Sequence, residues 1–214
     1  MILRAGLTGG IASGKSSISR IFAALGCVVV DADAVVARLY RRGEAGHDAL
    51  VRTYGQNILR DDHEIDRQKL ADIAFANADE AKKLNALIHP LVIAEEQRMI
   101  ADEESRFPGR DRIVIVEATL LLESGGKQRY DKIIVVDVEP ATQIARAIGR
   151  GMTREEVTRR MAHQVPREER LRQADYIIDN SSDMRSAEMA THRAYESLRN
   201  DLAAKKNAPP ERGA

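Results

Sequence analysis

The chain has 214 residues, with 33 Lys and Arg balanced by 33 Asp and Glu, a neutrality that argues against nucleic acid as a partner. Its 43% hydrophobic and 31% charged composition describes a folded domain, and its longest apolar run, residues 21–30, is half the ~20 residues that span a bilayer. One cysteine, Cys27, excludes an internal disulfide, the five histidines keep no metal-binding interval, and no signal peptide is read at the start, so a soluble cytoplasmic protein with no membrane partner is expected.

Residues 2–7 form a short apolar run broken only by Arg4, which reads as a strand. After it, Gly9-Gly10-Ile11-Ala12-Ser13-Gly14-Lys15-Ser16 satisfies G-x-x-x-x-G-K-[ST]. Glycines in such a loop let the backbone come close to a ligand, with successive N–H groups aimed into one concavity. Behind it Ile18, Ile21, Phe22 and Leu25 keep the spacing of one helix face, which Gly26 stops. Residues 27–30 are continuous and mostly β-branched, as suits a strand buried on both faces. Strand, glycine loop, helix, strand is a βαβ unit, the context that confirms a phosphate-binding loop. The helix N-terminus favours a polyphosphate, Lys15 would bridge its β- and γ-oxygens, and Ser16 would place its hydroxyl on Mg²⁺. ATP would be held by Gly10, Ile11, Ala12, Ser13, Gly14, Lys15, Ser16 and Ser17.

Asp31-Ala32-Asp33 stands at the carboxyl end of the second strand, where ligands of an open parallel sheet bind. Residues two apart in extended backbone share a direction, so both carboxylates can face one site. A kinase needs a carboxylate that orients the acceptor hydroxyl and takes its proton, which suits Asp33, with Asp31 near Mg²⁺. The plain alternative is that Asp33 caps a helix starting at Ala34. Helical patterns follow, and Leu84, Leu87, Ile88, Leu91 and Val92 keep the 3.6 period across His89-Pro90, where Pro90 should break or kink the helix. This stretch exceeds what a crossover needs and reads as an inserted helical subdomain.

Residues 113–116 and 133–136 are further apolar strands ending in Glu117 and Asp137, and 176–178 is a fifth, ending at Asp179-Asn180. Helices at 141–148 and 184–202 complete an α/β fold: a five-stranded parallel sheet covered by helices, carrying the phosphate loop, a helical insertion and a helical lid. The expected domain covers 1–205, with core segments 1–33, 108–148 and 173–205, an insertion at about 34–107 and a lid at about 149–172. A flexible tail is expected at 206–214.

The neutral total conceals 25 Arg against 8 Lys, and the window 146–172 holds eight Arg, four Glu and no Lys. Arg146 and Arg150 fall at i, i+4 on one helix face, before an Arg150-Gly151-Met152-Thr153 hinge, and Thr153-x-x-Glu156 reads as a capping box. Phosphoryl transfer builds charge on the γ-phosphate oxygens, which guanidinium groups neutralise, a role that suits Arg146 and, on ATP, Arg150. Arg159, Arg167, Arg170 and Arg172 read as a solvated surface paired with Glu155, Glu156, Glu168 and Glu169. Neither the Asn-Lys-x-Asp motif of GTPases nor the Leu-Ser-Gly-Gly-Gln signature of transporter ATPases occurs, and a compact sheet with an insertion and an arginine-rich segment suits a small-molecule kinase instead.

Thr8-Gly9-Gly10-Ile11-x-Ser13-Gly14-Lys15-Ser16, Asp31-Ala32-Asp33, Leu84-Asn85-x-Leu87-Ile88-His89-Pro90, Leu120-Leu121-x-Glu123, Val135-Val136-Asp137 and Ala174-Asp175-x-Ile177-Ile178-Asp179-Asn180, in that order, resemble the dephospho-coenzyme A kinase family. The resemblance implies a fold like that of nucleoside monophosphate kinases, a five-stranded parallel sheet P-loop kinase core with a helical acceptor-binding insertion and a helical lid, and transfer of the ATP γ-phosphate to the ribose 3′-hydroxyl of dephospho-coenzyme A, with Mg²⁺. It puts Thr8, Asp33, His89, Leu120 and Arg146 at the acceptor, with Asp33, Lys15 and Arg146 catalytic; Gln164 matches as well. Read without the family, the plain alternatives stand beside these roles: His89 capping or packing a helix end, and Leu120 and Leu121 as core. Two positions depart from the pattern. Ala12 stands where Gly is frequent, tolerable if its backbone dihedrals stay ordinary, and Thr119 stands where Pro is frequent, which bears on the acceptor contacts of that loop. A monomer or weak homo-oligomer is expected. The alternatives are a shikimate-like small-metabolite kinase, whose compact acceptor needs less enclosure than the insertion offers, and a regulator that binds ATP without transferring phosphate.

Overall fold

The structure, a computed structural model, describes residues 1–207, with the backbone alone at positions 75 and 78. In chain order its elements are β1 (Ile2–Gly9), α1 (Lys15–Ala24), β2 (Val28–Asp31), α2 (Ala32–Leu39), α3 (Ala45–Tyr54), α4 (Arg67–Ala76) and α5 (Ala78–Arg106). Then come β3 (Arg112–Glu117), β4 (Lys132–Asp137), α6 (Pro140–Ile148), α7 (Arg154–Ala162), α8 (Arg167–Arg172), β5 (Tyr176–Asp179) and α9 (Met184–Asn207). The tail expected at 206–214 lies outside the described residues from 208 onward, and α9 runs through 206 and 207. Two compact units result: Met1–Val30 with the described chain from Pro108, and Asp31–Phe107.

In the first unit the strand order is β2-β3-β1-β4-β5, and the ladders β1–β3, β1–β4 and β4–β5 are parallel. β1 pairs Leu7 with Glu117 on one side and Gly9 with Val136 on the other, so the glycine loop leaves the sheet between Glu117 and Asp137. Side chains alternate along a strand. Leu3, Ala5 and Leu7, with Ile113, Ile115, Ile134 and Val136, form one face, packed on Ile18 and Phe22 of α1 and on Ala187, Ala194 and Leu198 of α9. The other face buries Ile133 and Val135 under Leu121, Leu122, Val165 and Leu171. Both faces are covered, which is why the strands read as unbroken apolar runs.

The second unit is helical. Its first helix starts two residues earlier than the sequence suggests: Asp31 is the N-cap, its Oδ1 accepting from Ala34 N at 2.9 Å, and Asp33 sits in the first turn. α5 passes through Pro90 without ending, contrary to the expected break. The carbonyl that proline leaves without a partner is that of Ala86; Ala86 and Pro90 are both exposed, so water can take up the bond. Ile88 and Val92 meanwhile bury the inner face.

Candidate active site

The glycine loop closes on itself, Ser13 N donating to Gly10 O at 3.1 Å, and delivers Gly14 as N-cap of α1 with φ +93°. That conformation favours glycine, and a Cβ at position 14 would in addition strike the Asn180 amide. Ala12 also has positive φ, +54°, so the condition of ordinary dihedrals is not met; the tight closure puts its backbone in the left-handed region. Residues 12–17, Arg20 and Arg150 line an open cavity of about 280 Å³. Lys15 is 9% exposed and its Nζ donates to Gly9 O at 3.3 Å. Arg150 is not on the helix face of Arg146 as expected: α6 ends at Ile148, and Arg150 sits in the following turn, its N–H on Ala147 O at 3.1 Å. It reaches the loop nonetheless.

Glu117, at the end of β3, is 7% exposed and accepts from Ser16 Oγ at 3.0 Å and from Ser19 Oγ. The sequence had marked it only as an acid ending a strand. An ionisable residue closing an apolar strand at the carboxyl edge of a parallel sheet was the available signal. The Ser16 hydroxyl beside this carboxylate is a hard-oxygen donor set of the type Mg²⁺ takes. Among the described residues no three His, Cys, Asp or Glu gather into a metal cage.

Three side-chain amides stand against the loop, two of them hydrogen-bonded to it. Gln164 Oε1 accepts from Ile11 N at 3.0 Å, so that N–H, expected on ATP, is directed at a glutamine. Gln143, 2% exposed, lies against Gly10 and donates to Val138 O at 2.6 Å. Asn180 Nδ2 donates to Ser13 O at 2.7 Å, and Asn180 O accepts from Arg146 Nη2 at 3.0 Å. Among the described residues Ser13 Oγ, Gln143 Oε1 and Gln164 Nε2 are buried without a hydrogen-bond partner, polar atoms that a ligand or water at the loop can serve.

The arginine window divides differently than its charges suggested. Thr153 and Glu156 do form the capping box at the start of α7, following Gly151 at φ +90°. Arg167 and Arg170 are not a solvated surface. Arg167 makes a fork on the Asp137 carboxylate, and that hydrogen bonding pushes its guanidinium further above its ordinary value. Arg170 is 6% exposed, with burial pulling it down and Glu123 and Asp137 close enough to oppose that. Glu123 Oε1 also takes Val165 N at 2.7 Å. Arg172 does pair with Glu169.

Of the residues expected at the acceptor, Thr8 is 1% exposed and belongs to the sheet interior, because it pairs with Val135 in the ladder. Leu120 is 49% exposed in the turn after β3, whereas Leu121 is core. Within the second unit Asp33 is exposed on α2 and His89 half-buried on α5.

A family model for dephospho-CoA kinase matches residues 3–186. The dephospho-CoA kinase of Aquifex aeolicus is 38% identical over 198 residues, 92% of this chain and 98% of its own length. That of Geobacillus kaustophilus is 41% identical over 182 residues, 85% of this chain and 89% of its own length. A crystal structure from Thermus thermophilus superposes with a TM-score of 0.76 at 29% identity, covering 94% of this chain and 97% of that one.

Proposed function

The chain belongs to the dephospho-CoA kinase family, and from that premise we propose how its residues divide the work. It phosphorylates the ribose 3′-hydroxyl of dephospho-coenzyme A with ATP, the final step of coenzyme A synthesis. The observation that carries the residue assignments is the loop cavity, where Lys15, Ser16 and Arg150 converge beside the Ser16–Glu117 hydrogen bond.

In this reading the N–H groups of residues 12–17 cradle the polyphosphate of ATP, and Lys15 bridges its β- and γ-oxygens. Ser16, with Glu117 behind it, is the protein side of the Mg²⁺ site; we put Glu117 ahead of Asp31, whose Oδ1 already caps α2. The chemistry a bound Mg²⁺ supplies is neutralisation of charge across the transferring phosphate. Arg150 and Arg20 face the same cavity and oppose charge that develops on the γ-phosphate oxygens. Arg146, Leu120 and His89 are assigned to the acceptor. Thr8 supports them from within the sheet. Asp33, exposed and two residues beyond β2, orients the 3′-hydroxyl and takes its proton as the hydroxyl oxygen bonds to the γ-phosphorus and the bond from that phosphorus to the β–γ bridging oxygen breaks, releasing ADP. The helical unit 31–107 is the acceptor-binding domain, and 149–172 the lid that excludes water.

No helix among the described residues is long and apolar enough to cross a membrane. We place the enzyme in the cytoplasm, a reading supported by the free buried thiol of Cys27, and we read it as a monomer or weak homo-oligomer whose phosphate loop is built within one chain. Coupled ADP-release assays test the function. With Mg-ATP, turnover is expected on dephospho-coenzyme A and not on shikimate. Turnover on shikimate alone, or ATP binding with no acceptor-dependent turnover, overturns the reading.

A further inference from the structure

The Ala174-Asp175-x-Ile177-Ile178-Asp179-Asn180 segment carries part of the family likeness, yet nothing in the chemistry above uses it. Its geometry is that of a strap. Asp175 grips the start of β4 twice, its N donating to Ile133 O at 2.8 Å and its Oδ2 accepting from Ile133 N at 2.7 Å. β5 then runs in register with β4 to the Asp137–Asp179 pair, where Asp179 Oδ1 takes Ser181 N at 2.8 Å and ends the strand. Fixed at both ends, the strand presents Asn180 behind the phosphate loop.

Resting on the kinase reading, we propose that Asn180 is a positioning residue for phosphoryl transfer: it fixes the Ser13–Gly14 peptide so that Gly14 N–H is aimed at the polyphosphate. Asn180 is 8% exposed and is held by bonds to three different elements. Its N donates to Asp137 O at 2.9 Å, its O accepts from Arg146 Nη2 at 3.0 Å, and its Nδ2 donates to Ser13 O at 2.7 Å. A trans peptide points its C=O and N–H in opposite directions. Holding Ser13 O toward Asn180 therefore turns Gly14 N–H the other way. Residues 12–17 line the cavity and Asn180 does not, so the other way is the cavity side. The Asn180 amide also occupies the space a side chain at position 14 would need, which ties glycine there to asparagine at the end of β5. Asn180 thus shapes the nucleotide site without touching the nucleotide.

The test is nucleotide affinity in Asn180→Ala and Asn180→Asp, measured by calorimetric titration of Mg-ADP, with both KM values, kcat and the melting temperature recorded alongside. Asn180→Asp keeps both backbone bonds and adds a carboxylate charge as it removes the donor to Ser13. Asn180→Ala removes it without adding charge. In both, the Kd for ADP and the KM for ATP are expected to rise about 10-fold, the equivalent of one lost net hydrogen bond, with the KM for dephospho-coenzyme A within twofold of wild type. ADP affinity within twofold of wild type in either folded variant overturns the proposal. So does an equal rise in both KM values, which marks a merely structural residue. A wild-type protein inert on dephospho-coenzyme A sinks the acceptor reading instead, while the ADP titrations still judge Asn180.

Discussion

Arg167 holds the buried Asp137 carboxylate with one edge of its guanidinium, Nε to Oδ1 at 2.9 Å and Nη2 to Oδ2 at 2.6 Å, while Nη1 meets Glu139 at 2.8 Å. This pair fastens the start of α8 to the carboxyl end of β4, next to the loop that carries the phosphate chemistry. Removing one member of a fully buried pair costs about 3–5 kcal/mol, because the other charge stays behind. Arg167 is 32% exposed at its side chain and Arg170 also lies near Asp137, both of which soften the loss. Arg167→Met is therefore expected to destabilise by about 2–3 kcal/mol. Asp137→Asn in the same chain should restore part of it. Urea unfolding of the two variants checks this; no recovery in the double variant means that the charge left on Asp137 is not the cause.

Asp33→Asn keeps the size and the helix position of Asp33 and removes its basicity. If Asp33 takes the acceptor proton, kcat falls by about 10²–10⁴-fold, with the KM for ATP nearly unchanged. The plain role, a carboxylate favouring the N-terminus of α2, predicts instead a melting shift worth about 0.3–1 kcal/mol and near-normal turnover. Steady-state kinetics and a thermal melt on one preparation separate the two.

The sheet was legible because β-branched runs such as 133–136 have no other stable use than burial on both faces, and the phosphate loop because its spacing is strict. What supports the loop was not. Ser13 and Asn180 are 167 residues apart, Ile11 and Gln164 153, and a single side-chain amide has no periodicity to betray its partner. Arg167 was paired in the sequence with nearby glutamates, whereas its strongest partner lies 30 residues upstream at the end of another strand. The helix face joining Arg146 to Arg150 failed for a similar reason: Gly149 and Gly151 end the helix before the second arginine, which reaches the cavity from a turn.

Acid sensitivity should trace in part to Glu95. Hydrogen bonds from Arg98, and after the opposing push of burial those from Arg38, hold its carboxyl down from 4.5 to about 2. A depressed carboxylate stabilises the fold fully above its unfolded pKa, and the contribution is lost as pH falls toward the folded value. The stability gap between wild type and Glu95→Gln is thus expected to be widest near neutrality, to shrink below about pH 4.5 and to be nearly gone at about pH 2. Denaturant melts at several pH values read it. A gap that keeps its size from neutrality down to the acid limit counts against Glu95 as the titrating group.

Ala12 offers a way to stabilise the fold at the site itself. At φ +54° its Cβ crowds the neighbouring carbonyl, a strain of about 1–2 kcal/mol that glycine does not carry. Glycine loses more backbone freedom on folding, which costs about 0.5–1 kcal/mol relative to alanine. Strain is the larger effect, so Ala12→Gly should gain roughly 0.5–1 kcal/mol, a rise in melting temperature of about 1–4 °C for a chain of this size. The backbone N–H at position 12 survives the exchange, and Mg-ADP affinity should stay within about twofold. Calorimetric melting with and without Mg-ADP makes the comparison. A lower melting temperature in the variant would show that the methyl group makes contacts outweighing its strain.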